Sequence, residues 1–230
     1  MPARSSAAQL FDHANDGMAE RLLGVRTPAG MMTALRWSAD ELDQAYAKTP
    51  ARVLARVACR AGCDSCCSVP VDASAHEVFF AADHIQTHFS PAALTAVIAR
   101  LIRHRHRVAS YVEGERPRSR KPCALLKAGA CTIYAARPAT CRSHHTSDAT
   151  WCVANKADAS VNVTKVYLPV LRARMSAVMF GVDDAMETAG YDERCYDFGS
   201  ALHEALTNSL CLVRWLRRQR AFPDSCLAKL

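Results

Sequence analysis

Apolar residues recur at helical spacing along most of the chain. Ser38-Ala39-Asp40-Glu41 has the form of a capping box, in which the Ser side chain caps the first turn and Glu three residues on reaches back. Thr49-Pro50 is a second start, with Pro at the first helical position, and its helix is expected through Val53, Leu54 and Val57 toward Cys59. Ser74-Ala75-His76-Glu77 is another capping box, opening a helix through Phe79, Phe80 and Ile85. Ser90-Pro91 starts a fourth, with Leu94, Val97, Ile98, Leu101 and Ile102 on one face. Between Gly114 and about Asn155, Pro117, Pro122, Gly129 and Pro138 break the pattern, which predicts loops with short helical turns. Helices are expected again at about 165–180, 183–190 and 199–221, the last through Leu202, Leu206, Leu210, Val213 and Leu216. Val161-Asn162-Val163-Thr164 is the one weak strand candidate. The expected fold is mostly α: a single helical domain over 1–230, with an irregular cysteine-rich metal-binding region at 59–152 and C-terminal helices at 160–230 packing on it.

Composition sharpens this picture. Half of the 230 residues are hydrophobic, which excludes a largely disordered chain. Charged residues interrupt every long apolar stretch, so no membrane-spanning helix is expected. The first residues, Met1 to Ser6, are not followed by the apolar run of a signal peptide, so a cytoplasmic location is expected. Most of the net charge of +7 sits in residues 100–121, which hold Arg100, Arg103, Arg105, Arg107, Arg116, Arg118, Arg120 and Lys121 against Glu113 and Glu115. Such a patch suits a phosphate, an acidic protein or another anionic partner. Tyr111 is its one aromatic residue, so nucleic-acid stacking is poorly supplied, and the plain alternative is a solvated helix end.

The eleven cysteines change the question. In a reducing compartment, clustered cysteine points to metal or redox chemistry, and an odd count forbids complete pairing as disulfides. Eight fall in two groups, Cys59, Cys63, Cys66 and Cys67, then Cys123, Cys131, Cys141 and Cys152. Thiolate is the preferred ligand of zinc and of iron–sulfur clusters, so the expected cofactor is zinc or iron. Adjacent side chains diverge, so Cys66 and Cys67 fit poorly on one tetrahedral ion. Two four-thiol sites, or one centre with thiols left over, both remain open.

These residues carry a resemblance. Cys59-Arg60-Ala61-Gly62-Cys63-Asp64-Ser65-Cys66-Cys67, followed by Val69, Val71 and Glu77, resembles the opening of the YkgJ-type CxxCxxCC proteins, a cysteine-cluster family associated with zinc or iron chelation. The run Pro122-Cys123-Ala124-Leu125-Leu126, Gly129-Ala130-Cys131-Thr132-Ile133-Tyr134 and Arg137-Pro138-Ala139-Thr140-Cys141-Arg142 is similar to the second half of that pattern. Ala124 and Leu125 stand where Pro and Phe are usual, and Thr132 where Ser is usual; none is a sulfur position. The resemblance implies a metal centre in a mostly helical protein, with the eight cysteines above as ligands. Cys152 is the least secure, since His144 or His145 could replace it. The family is also similar to the cysteine-rich part of flagellin lysine N-methylases, which use an iron–sulfur cluster and S-adenosylmethionine. Three roles follow: metal handling, redox or structural work; a protein- or peptide-modifying enzyme; or a metal-held interaction module using residues 100–121.

Other residues sit around this core. Arg137 and Arg142 flank Cys141 and could offset thiolate charge. Tyr134 could cover the centre or lie in the core. His84 and His88 share a helix face with His76 behind them, but the absence of an HExxH register excludes the zinc-protease reading. A Cys–His nucleophilic pair at Cys141 and His144-His145 competes with a metal role for the same thiol. Cys195 could join the centre, Cys211 fits a helix core, and Cys226 lies outside the pattern.

Overall fold

The computed structural model describes residues 6–60 and 62–228. The residues before Ser6, and Ala61 of the first cysteine motif, lie outside the described residues. Eleven α-helices dominate what is described, and the strands are four two-residue pieces. No helix among the described residues is long and apolar enough to cross a membrane.

Two helices begin ahead of Ser38, the first predicted start. They are α1 (Ser6–Gly24) and α2 (Pro28–Ala47). The true signal for α2 is Thr27-Pro28: Thr27 has extended backbone and its Oγ1 accepts the Gly30 N–H at 3.1 Å. Ser38 is therefore inside a helix, where its Oγ donates to the Leu35 carbonyl at 2.7 Å instead of capping anything. The start at Thr49-Pro50 yields only one turn, α3 (Ala51–Leu54). The chain then straightens because the Ala58 N–H is taken by the Thr146 carbonyl at 2.9 Å, which draws it against the second cysteine segment.

The starts at Ser74 and Ser90 hold. In α4 (Ala75–His88) Glu77 reaches back to the Ser74 N–H at 3.0 Å. In α5 (Pro91–Ala109) Ser90 accepts from the Ala93 N–H. The expected irregular stretch contains α6 (Glu115–Arg118), α7 (Ala139–Arg142) and α8 (Ala149–Ala157). The weak strand candidate is instead a 3₁₀ turn at Val163–Val166, begun by Asn162 accepting the Thr164 N–H. The two helices expected at 165–180 and 183–190 are one, α9 (Pro169–Thr188). The single C-terminal helix splits at Asn208 into α10 (Phe198–Thr207) and α11 (Leu210–Leu216). That break rephases the face: Leu210 and Val213 are exposed, while Cys211 and Trp215 are buried.

Helix α9 packs along α1 and α2, and α10 packs on α4 and α5. One continuous core joins both sets, from Met18, Met31 and Leu35 through Leu171, Val178 and Met186 to Phe79, Trp215 and Phe222. Gly181 sets the closeness of α1 and α9. A Cβ there would lie 2.5 Å from the Phe11 carbonyl oxygen and 3.0 Å from the Ala14 Cβ. Backbone cannot yield as a flexible side chain does, so Gly181→Ala is expected to lower unfolding free energy by about 1–3 kcal/mol in urea titration.

The small strands pin the cysteine region. Asp72–Ala73 (β1) pairs antiparallel with Tyr196–Asp197 (β4), and Leu126–Lys127 (β2) with Ala130–Cys131 (β3). The β2–β3 turn has Ala128 and Gly129 at φ 49° and 75°, the two positive values that a two-residue hairpin loop demands.

Much of the basic stretch is used inside the molecule. Arg116 is buried and pairs with Asp197 at 2.9 Å and with Asp72. His104 bonds the other Asp197 oxygen at 2.8 Å, and the Ser200 N–H and hydroxyl donate to that same oxygen. Arg105 pairs with Glu204 at 2.5 Å, and Arg100 and Arg120 donate to the Ala124 and Asn155 carbonyls. Arg103, Arg118 and Lys121 are exposed.

Candidate metal centre

The first cysteine segment is built by tight turns. Gly62, at φ 81°, makes the reversal that lets the Cys63 N–H reach the Arg60 carbonyl at 3.0 Å. A 3₁₀ turn at Ser65–Ser68 carries Cys66 and Cys67. The Cys123 N–H donates to the Cys67 carbonyl at 2.7 Å, which locks the second segment onto the first. From there each thiol has its own support. Cys123 Sγ receives the Leu125 N–H at 3.5 Å, and Cys131 rides on β3. Cys141 is in α7 and Cys152 in α8, whose first turn is capped by Asp148. Glu77 links these parts: one carboxylate oxygen caps α4, and the other accepts the Ala139 N–H at the start of α7 at 2.5 Å.

Electrostatic neighbours sort the eight thiols. Cys141 is pushed up by burial and then by Cys123, Cys131 and Cys67. Cys123 is raised to about 11 by burial, with Cys131 and Cys67 adding to it. These four make one group. Cys152 is raised by burial and by Cys59 and Cys63, which begins a second group. Cys66 touches both groups: it donates to Cys67, which raises it, and it feels Cys141 and Cys59. Accepting that hydrogen bond lowers Cys67 to about 7, aided by Lys156 and Arg137. Buried, mutually repelling thiols resist ionisation until positive charge arrives, and a metal ion supplies it.

The donor chemistry fits zinc or iron, and the spacing is open. No three described sulfurs lie within 4.8 Å of one another. Four sulfurs bonded to one tetrahedral zinc at about 2.3 Å would sit about 3.8 Å apart. The loops that carry them would have to draw inward to bind.

The flanking residues divide. Arg137 favours thiolate on Cys67 and Cys131, and its guanidinium lies 3.7 Å over the Tyr134 ring. Tyr134 is 66% exposed, so it is not a core residue and meets Arg137 at the surface. Arg142 is buried, but its donors go to Asp43 at 2.7 Å and to the Ala135 and Arg137 carbonyls, which brace the loop before Cys141. His144 bonds the Tyr167 hydroxyl at 3.2 Å, and its carbonyl faces Cys59 Sγ at 3.8 Å. Burial, then Arg137 and His144, lower His145 to about 4, so its ring is neutral, and its buried Nδ1 has no hydrogen-bond partner. His84 and His88 stack on each other at 4.3 Å, away from the thiols. Cys195 is exposed and neighbours Asp72 and Arg116, whereas Cys211 and Cys226 are in the core.

One arrangement has no forerunner in the sequence pattern. His76, on the buried side of α4 whereas His88 is exposed, faces Asp183 and Glu193. Those two acids come from α9 and the loop before β4, and no spacing rule connects residues so distant in the chain.

Comparison with known proteins adds one positive result. Residues 58–164 match the family model CxxCxxCC, described as "Putative zinc- or iron-chelating domain". No curated protein and no solved structure matches the chain.

Proposed function

We propose, from the match of residues 58–164 to the CxxCxxCC family model, that the protein holds zinc or iron on its cysteines in two four-thiolate centres. One centre takes Cys67, Cys123, Cys131 and Cys141. The other takes Cys59, Cys63, Cys66 and Cys152. The supporting observation is that Cys67, Cys123, Cys131 and Cys141 act on one another while Cys59 and Cys63 act on Cys152; Cys66 feels both groups and is assigned to the second because its neighbour Cys67 fills the first. Arg137 and Lys156 would offset the charge of the first centre, since four thiolates on a divalent ion leave about two negative charges. A four-thiolate centre has no vacant position, so its work is structural if the metal is zinc and can include electron transfer if it is iron. The metal would also order residues 123–152, whose short turns are held in the core chiefly by Leu125 and Ile133.

The test is metal content per chain on protein purified without oxygen, together with a visible spectrum. Two zinc ions and a colourless protein are expected for structural centres. Iron with acid-labile sulfide identifies clusters. Protein that carries no metal and takes up none with its thiols reduced defeats the reading.

A further inference from the structure

We propose that His76, Asp183 and Glu193 form a further, sulfur-free site for one divalent transition-metal ion. His76 Nδ1 is 3.4 Å from a Glu193 oxygen, and His76 Nε2 is 3.8 Å from an Asp183 oxygen. One ligand atom from each of the three lies within 4.8 Å of the others, and among the described residues no other group of histidine, cysteine and acid side chains does.

The second observation is the state of the buried atoms. His76 is 6% exposed, and its Nδ1 has no hydrogen-bond partner. Neither Glu193 oxygen has one. His76 Nδ1 and Glu193 face each other as an ion pair at 3.4 Å whose geometry makes no hydrogen bond, so their bonding capacity is left unfilled. Neighbouring Glu77 cannot relieve them, because its two oxygens are committed to the Ser74 and Ala139 N–H groups. Burial pushes Asp183 up to about 7 and raises Glu193 as well. Burial also opposes charge on His76, but Glu193, Asp183 and Glu77 outweigh it and raise the ring to about 9. Two carboxylates and an imidazole face one another here, and a divalent ion would take the place of the proton they hold. A divalent cation meets two carboxylates and a neutral imidazole with no net charge left over.

The donor set selects the ion. Imidazole suits zinc, iron and nickel, and carboxylate suits magnesium and manganese, so a mixed set favours borderline ions such as manganese(II), iron(II) or zinc. Three protein ligands leave coordination positions vacant, as in metal sites that bind water or substrate. They would open toward a small cleft lined by His76 and Asp183 on one side and by Arg137 and Arg142 on the other. Arg137, whose buried Nε has no hydrogen-bond partner, is the one that could accept a small anionic ligand, since Arg142 is committed to Asp43 and two carbonyls.

Manganese(II) is the probe, because hard ions avoid thiolate. The full chain should bind one manganese(II) ion, seen as loss of the free-ion electron paramagnetic resonance signal and as a raised Tm. Asp183→Asn and Glu193→Gln keep the shape of the site, and each should weaken binding by about tenfold or more. His76→Gln should do the same. Cys63→Ser and Cys131→Ser should leave it unchanged, and Asp183→Asn should leave zinc or iron on the cysteines unchanged, so the two assignments fail separately. Absence of manganese(II) binding, or binding that persists in all three site variants, overturns the proposal. A Tm that rises in Asp183→Asn without any manganese(II) response in the parent identifies a hydrogen-bonded or water-filled cluster and overturns it equally.

Discussion

Cys131→Ser is expected to remove one metal equivalent per chain, and Cys63→Ser the other. Binding at a structural thiolate site is worth on the order of 10 kcal/mol, and most of that is folding free energy for the segment that wraps the ion. Cys131 sits at the end of a two-residue strand and Cys63 in a turn shaped by Gly62, so neither segment has a core of its own. Loss of metal should therefore appear as new proteolytic cleavage within residues 58–67 and 123–152, while the α1–α2–α9 helices stay protected. Cys195→Ser is the control: that thiol is exposed and apart from both groups, and full metal content is expected. If Cys63→Ser and Cys131→Ser each empty the protein, one shared centre replaces two. If neither loses metal, the ligand assignment is wrong.

Asp197→Asn is expected to lower stability by about 3–5 kcal/mol, because it leaves the Arg116 guanidinium buried with its main partner neutralised. At about 2–4 °C per kcal/mol for a chain of this size, Tm should fall by roughly 10 °C. Arg105→Ala is the contrast, since the Arg105–Glu204 pair is partly exposed and its loss should cost under about 1 kcal/mol. Acid should expose the same network. Burial alone would raise the Asp197 carboxyl, but His104, Arg116 and Ser200 hold it well below the usual range. Asp192, also buried, is brought to about 2 by Arg194, Tyr196 and the Ala221 N–H. A depressed carboxyl contributes stability above its unfolded value of about 4, and this is lost as pH falls through the folded value. The gap between the parent and Asp197→Asn should thus be full near pH 5 and shrink below about pH 4 in urea titrations at each pH.

Helix starts were legible where the capping residue directly precedes the first helical residue. Ser74 and Ser90 cap with their own side chains, and Pro91 cannot sit deeper in a helix, so the local chemistry suffices. Ser38 carries the same letters, yet α2 had already begun at Thr27-Pro28, and a residue inside a helix cannot adopt the extended backbone of a cap. The division of 165–190 failed for a related reason. Nothing nearby says that Gly181 is a contact point for α1 rather than a break; Phe11 decides it, 170 positions away in the chain.

Residue chemistry by itself determined that this is a mostly helical, cysteine-clustered protein with a segment like the zinc- or iron-chelating family, because thiol identity and short motif spacing survive without knowledge of the fold. It marked Cys59 through Cys152 as the candidate ligands. Tertiary structure alone brought the two cysteine segments together, through the Cys67 carbonyl receiving the Cys123 N–H and Ala58 meeting Thr146. It alone turned Arg116 from surface charge into a buried partner of Asp197, and it alone placed Asp183 and Glu193 beside His76. Each of those contacts closes a loop of tens of residues or more. Such a loop forms only when the packing of α4, α5, α9 and α10 brings its ends together, and no local pattern records where they meet.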